Sequence, residues 1–371
     1  MAYLVKKIEQ SHILWFEASN QWAQFDEQQW LIFCFYNDGV KQEKAVKELC
    51  KKFSFQIQAA QSFVDNIYFS LDNLFYPTFE KPDFSACAKV AASYKLGKTK
   101  SHLYLFNGKP FRIVYGSPWL ESYIHLPLAH LETEDNKTDT YEIEVFPFEN
   151  RFALRVNKGN SKTLTADEPG QIKRLLYIEL TNFFYDKKES EWMAFLHGSA
   201  LRKNNEIIIL TSTGGSGKST MAGLLMLNGF DFFSDDYIPV EAQSEKAYPF
   251  PAALCLKNDA ISLLESKGLK LQATTKGKLA YAKPAQNRMQ NQACKIRNVV
   301  FIKYCKEKDL VFEPISTLEA LYHFLQEAWV GDNMKRAEQF LNWFTQLKFY
   351  KLVYGNNEKA IEKLGKLIEQ G

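Results

Sequence analysis

No apolar run in this 371-residue chain approaches the roughly 18 residues that a membrane-spanning helix needs; Leu31 to Phe35 and Ile207 to Leu210 are typical. The opening segment, MAYLVKKIEQ, lacks the apolar core of a signal peptide, so a cytoplasmic location is expected. Cysteine is sparse and scattered: Cys34, Cys50, Cys87, Cys255, Cys294 and Cys305 form no C-x-x-C pair and have no histidine at zinc-binding spacing. Buried thiols in a reducing compartment are expected rather than a disulfide framework. An excess of one charge is missing too. Lys and Arg number 46 against 43 Asp and Glu, net +3, with no block of like charges. Neither a nucleic-acid partner nor a membrane surface has an electrostatic footprint here. There is no internal repeat and no low-complexity tract.

What the chain does have is aromatic bulk: 29 Phe, 18 Tyr and 7 Trp, in a composition that is 46% hydrophobic. Such a chain buries a substantial core, and its length suggests two or three domains. Residues 1–80 begin with strand-like Ile13 to Phe16 and Trp22 to Phe25, then a helical stretch ending at Asn37-Asp38-Gly39. Val46, Leu49, Cys50 and Phe53 fall at i, i+3, i+4 and i+7 of a second helix. A longer one runs from about Gln56 to Leu74, with Phe63, Ile67, Phe69 and Leu71 as core positions, and Pro77 and Pro82 punctuate its exit. This segment carries seven lysines against ten acids, net −3. Residues 100–190 are rich in short strand-like runs, with a polar loop from Glu132 to Thr140 and a helix over Ile172 to Tyr185. Residues 191–371 change to strand, glycine loop and helix: Glu206 to Leu210, then Lys218 to Leu227, then strand-like Phe230 to Phe233. Strands joined by crossover helices imply an α/β layer with a phosphate site at a strand's carboxyl end.

The segment IIILTSTGGSGKST carries the strongest signal. A loop of this kind curls so that successive N–H groups face phosphate oxygens, and the following helix adds its positive end. The positions Ser212, Thr213, Gly214, Gly215, Ser216, Gly217, Lys218, Ser219 and Thr220 would cradle a nucleotide. Lys218 would reach the β- and γ-phosphates and Ser219 would ligate magnesium, so ATP and Mg²⁺ are the implied ligands. The usual pattern is G-x-x-x-x-G-K-[ST]; Ser212 takes the place of its first glycine. Asp235 and Asp236 follow the next strand-like run, where one carboxylate can hold magnesium and the other can accept a proton from an incoming hydroxyl. His197, just before the strand that leads to the loop, can orient one of them. His12, His102, His125, His130 and His323 read as surface or core residues.

FLHGSAL, LTSTGGSGKSTMAGLLMLNGF and FSDDYIPV together resemble the histidine strand, phosphate loop and Asp-Asp strand of the HPr serine kinase family. His197 precedes Lys218 by 21 residues and Asp235 follows it by 17, spacings similar to the family's. The resemblance covers roughly residues 100–365, most strongly 192–241. It implies an α/β P-loop kinase core related to phosphoenolpyruvate carboxykinases, with His197, Lys218, Asp235 and Asp236 as catalytic positions and Ser219, Asp235 and Asp236 as metal ligands. The family's second metal-binding glutamate has no match; Asp259, close to Lys257, is the nearest acid. Nothing resembles the glycine-bearing signature of the bifunctional kinase/phosphorylases, so neither phosphorolysis nor HPr as substrate is carried over. Arg288, Lys295 and Arg297, in a basic segment after the core, are candidates for steadying the transferring phosphoryl group.

Residues 1–80, with FDEQQWLIFCFYNDGVKQEKAVKELC at their centre, resemble the PqqD-like peptide chaperones. That implies a small winged-helix-like α+β domain that binds the leader of a ribosomally made precursor peptide by strand addition. The expected protein is therefore an ATP- and Mg²⁺-dependent kinase of a Ser or Thr hydroxyl on a peptide or protein. The alternatives are a non-catalytic nucleotide-binding module that recruits peptides, and a kinase of a free small-molecule hydroxyl. A homo-oligomer is compatible with the sequence, which does not define the oligomeric state.

Overall fold

A computed structural model describes residues 2–78, 85–134, 140–157, 162–204, 206–273, 278–282, 292–325 and 328–369. Arg288 and the middle of the Glu132 to Thr140 stretch lie outside the described residues. The chain forms a mixed α/β protein with two compact units, Met1–Lys81 with Ile315–Leu347, and Pro82–Pro314 with Lys348–Gly371.

The first unit opens with an antiparallel sheet of Tyr3–Ile8, Ser11–Phe16 and Gln21–Phe25, in that spatial order. Its first strand escapes a sequence reading, because the Lys6-Lys7 pair interrupts the apolar alternation. Three helices follow, Glu27–Asn37, Gln42–Phe53 and Ile57–Phe75. The first starts at a capping box, in which Asp26 accepts from the Gln29 amide at 2.8 Å while the Gln29 side chain accepts from the Asp26 amide at 3.0 Å. Leu14, Phe16, Phe25, Phe33, Leu71 and Phe75 make one apolar cluster, and Ile32, Ala45, Val46, Leu49, Ala60 and Val64 a second. Phe69 does not join them: it is 69% exposed. Ala60, Val64, Leu71 and Phe75 define the buried stripe, and two residues from Leu71 is about 200° around the helix, which points Phe69 outward. The helices Thr317–Leu325 and Met334–Phe344 belong to this unit as well. Phe340 of the latter lies 6.0 Å from Trp22, and Lys6 donates to Asn342 at 2.6 Å.

The second unit holds a five-stranded sheet in chain order, Lys100–Phe106, Lys109–Tyr115, Tyr141–Phe148, Arg151–Val156 and Lys162–Ala166. Only its second and third strands run parallel, on either side of the helix Pro118–Leu128. The larger sheet carries the loop. Asp231–Asp235, Ser199–Lys203, Glu206–Thr211, Cys294–Tyr304 and Lys348–Tyr354 lie side by side in that order. Ser199–Lys203 is antiparallel to both of its neighbours, so the strands flanking it are parallel to each other. The helix Lys218–Leu227 makes the crossover between them. The aspartate strand is thus one place removed from the loop strand, with both carboxyl ends at the same edge. Residues from the strands, this helix and the final helix Asn357–Glu369 fill one core, among them Leu201, Ile208, Leu210, Met221, Leu225, Val300, Leu352 and Leu364. Gly223 packs closely there: a Cβ at that position would fall 2.6 Å from the end of the Leu264 side chain, which would have to shift.

Candidate phosphate-binding and catalytic site

The loop runs from Ser212 to Gly217 between the strand ending at Thr211 and the helix starting at Lys218. Gly215 and Gly217 adopt φ of +80° and +99°, the left-handed region where a side chain is strained. Ser212 is not among the residues with positive φ, so serine serves where the usual pattern has its first glycine. Added side chains at Gly214 or Gly215 would meet nothing within 4 Å, so the space around these two glycines is open. Lys218 is nearly buried and folds back on the loop, donating to the carbonyls of Ser212 at 2.7 Å and Thr213 at 3.2 Å. The Ser216 hydroxyl is buried and makes no hydrogen bond among the described residues. An unmet hydroxyl, a lysine parked on loop carbonyls and an open glycine curl fit a triphosphate. Thr220 lies in the first turn of the helix, half-buried.

The two aspartates have different surroundings. Asp235 is the last residue of its strand rather than the first beyond it, and is 2% exposed. One of its oxygens accepts from Ser199 at 2.5 Å; the other accepts from the Cys255 amide at 3.1 Å and from Ser219 at 3.4 Å. Burial and the neighbouring charge of Asp236 push its carboxyl up to about 7, against the opposing pull of Ser199, Cys255 and Lys218. Burial and the same two carboxylates raise the Cys255 thiol. Ser219 and Asp235 therefore converge on one point with oxygen atoms, the donor chemistry that Mg²⁺ selects.

Asp236 turns the other way. Its φ is +64°, its side chain is 54% exposed, and its carboxylate lies 3.8 Å from His197 Nε2. His197 Nδ1 sits 3.3 Å from the Asp236 carbonyl, and the Asp236 amide donates to Gly198 at 2.9 Å. Thr211, at the end of the loop strand, donates to the His197 carbonyl at 3.1 Å. A Cβ on Gly198 would fall 2.7 Å from the Leu210 carbonyl, so glycine is required for His197 to approach. His197, the loop and the aspartates are thus brought together by adjacent strands.

No protein-family model matches this chain, and no curated protein matches it. Among solved structures, the chain is similar to one titled "Structure of the Hpr(Ser) kinase/phosphatase from Coxiella burnetii". The two align over 48% of this chain and 93% of that one, at 10% identity and a TM-score of 0.25. A score that low carries no argument, and the site stands on its geometry.

The other sequence candidates fall elsewhere. In the parallel pairing of Glu206–Thr211 with Cys294–Tyr304, Ile207 faces Ile296 while Thr211 faces Phe301. Lys295 and Arg297 therefore lie at the end opposite the loop, roughly 15 Å away at 3.3 Å per residue, and Arg297 pairs there with Glu206 at 3.1 Å. They cannot touch a phosphoryl group held by the loop. Asp259 is exposed at the start of the helix Asp259–Ser266. Ser199 escaped the sequence reading; its signal was its place two residues after His197, on the strand between loop and aspartates. Away from this site, His102, His125 and Glu132 bring donor atoms within 4.8 Å of one another. Both ring nitrogens of His102 already bond to carboxylates, Glu132 at 2.6 Å and Glu121 at 2.8 Å, which occupies the atoms a metal would need.

Proposed function

We propose that the protein is an ATP- and Mg²⁺-dependent kinase that phosphorylates a Ser or Thr hydroxyl on a peptide or protein. One observation carries the reading: the glycine curl, Lys218, the Ser219–Asp235 pair and the Asp236–His197 pair meet at one sheet edge. Lys218 leaves its loop carbonyls to meet the triphosphate, and the loop amides take up charge on the β- and γ-phosphates. Ser219 and Asp235 would hold Mg²⁺, which would supply charge neutralisation to the transferring group. Asp236, open to solvent and steadied by His197, accepts the proton as the acceptor oxygen bonds phosphorus and the bond to ADP breaks. The division of labour follows from burial: the enclosed carboxylate suits a metal, the exposed one an incoming hydroxyl.

For the first unit we propose recognition of a precursor-peptide leader. The Tyr3–Ile8 strand lies at one edge of its sheet, an element to which a peptide strand can add, and the net charge of −3 in residues 1–80 suits a leader that carries Lys or Arg. Intact-mass analysis of candidate peptides after incubation with the full chain and Mg-ATP tests the reading. A gain of one phosphoryl mass on a peptide supports it. A phosphorylated metabolite, or nucleotide binding with no product, refutes it in favour of a small-molecule kinase or a recruitment module.

A further inference from the structure

Tyr304 ends the strand that borders the loop strand, and the residue is 49% exposed. Its amide donates to the Ser216 carbonyl at 3.0 Å, which ties the strand end to the loop. The ring meets that of Tyr354 edge-on at 5.6 Å and 71°, and Tyr354 is itself buried. A Cβ on Gly217 would lie 3.5 Å from the Tyr304 side chain and 3.3 Å from the Tyr354 hydroxyl. The ring is thus a half-exposed aromatic face, held from behind, at the shoulder of a phosphate loop.

Strand order says which end of a nucleotide meets it. Asp235 lies two strands to one side of the loop strand, and Tyr304 one strand to the other. If Ser219 and Asp235 mark the reacting end of the triphosphate, as the proposed function has it, the nucleoside end leaves the loop on the far side. That side presents Tyr304. We infer that Tyr304 is the platform on which the base of the bound nucleotide stacks, with purines favoured because their larger face covers more of the ring. Stacking on an aromatic side chain discriminates little among bases by hydrogen bonding, so the platform supplies affinity and leaves the choice between adenine and guanine to other groups.

The platform depends on the phosphate-loop reading, and one experiment separates the two. Calorimetric titration of the full chain with Mg-ATP and with Mg-tripolyphosphate compares wild type, Tyr304→Ala and Tyr304→Phe. The amide bond to Ser216 survives in each variant, so the loop keeps its anchor. Tyr304→Ala is expected to weaken ATP binding about ten-fold or more while tripolyphosphate binding stays within about two-fold, and Tyr304→Phe restores ATP binding. Equal weakening of both ligands would show that the ring only shapes the loop and would overturn the inference. Unchanged ATP affinity in Tyr304→Ala overturns it too. A wild-type chain that binds neither ligand overturns the phosphate loop, and this platform with it.

Discussion

Asp235→Asn separates stability from chemistry at one residue. The Asp235 carboxyl is held at about 7 by burial and by Asp236, against an ordinary value near 4. At about 1.4 kcal/mol for each tenfold change, that difference charges the native state on the order of 4 kcal/mol for an ionised Asp235. Asparagine removes the charge and keeps the shape. Its amide oxygen can accept from the Cys255 amide and from Ser219, and its NH₂ can donate to the Ser199 oxygen, so all three existing partners stay satisfied. Imperfect replacement returns part of the gain, leaving about 2 kcal/mol, or roughly 4–8 °C in melting temperature for a unit of this size. The sign with pH follows from the raised value. Between about pH 4 and 7 the native state holds a proton that the unfolded chain has released, so wild-type stability falls as pH rises through that window and levels off above it. The variant lacks that slope. Melting curves at pH 5 and pH 8 in a chelator check this: the variant should melt higher at pH 8 and lose less between the two. Turnover with Mg-ATP should meanwhile fall by about a thousand-fold, because an amide is a poor magnesium ligand. An Asn variant that melts no higher than wild type at pH 8, with the same pH slope, would refute the assigned burial penalty.

Lys218→Ala should abolish phosphoryl transfer while shifting the melting temperature little, because its contacts are loop carbonyls that water can reach once the side chain is gone; wild-type turnover would overturn the phosphate loop. Asp236→Asn should cut turnover about a hundred-fold or more yet still bind nucleotide, with His197→Ala milder because it orients the base rather than being it; steady-state rates beside nucleotide titrations decide, and unchanged rates in Asp236→Asn would remove it as base. Gly198→Ala should destabilise the second unit by roughly 2 kcal/mol or more through collision with the Leu210 carbonyl, read as a drop in melting temperature.

The geometry of the glycine loop was legible because it is local. A phosphate loop needs glycine where φ turns positive and lysine at the start of a helix, and Gly215, Gly217 and Lys218 stand at those places within a few residues of one another. Helix starts and the 3.6-residue stripe likewise sit in neighbouring side chains, which is why Lys218–Leu227 is readable to the residue. Phe69 was not, since a hydrophobic identity says nothing about which side of a helix the partner elements occupy.

The sequence by itself determined that an Asp-Asp pair follows a glycine-rich loop ending in Lys218, that His197 precedes it, and that aromatic residues are plentiful enough for large cores. Which aspartate is buried beside Ser219 and which faces solvent was decided only by the fold. Asp235 closes its strand and is buried, Asp236 leaves that strand on a left-handed backbone at φ +64° and turns to solvent, and the strand carrying Ser199 lies between loop and aspartates only because chain order differs from sheet order. The same cause put Lys295 and Arg297 at the wrong end of a parallel strand, placed Tyr304 beside the loop from almost ninety residues further along the chain, and joined Ile315–Leu347 to the N-terminal segment. Contacts between distant segments depend on how sheets and helices close over a shared core, and no short stretch of sequence records that closure.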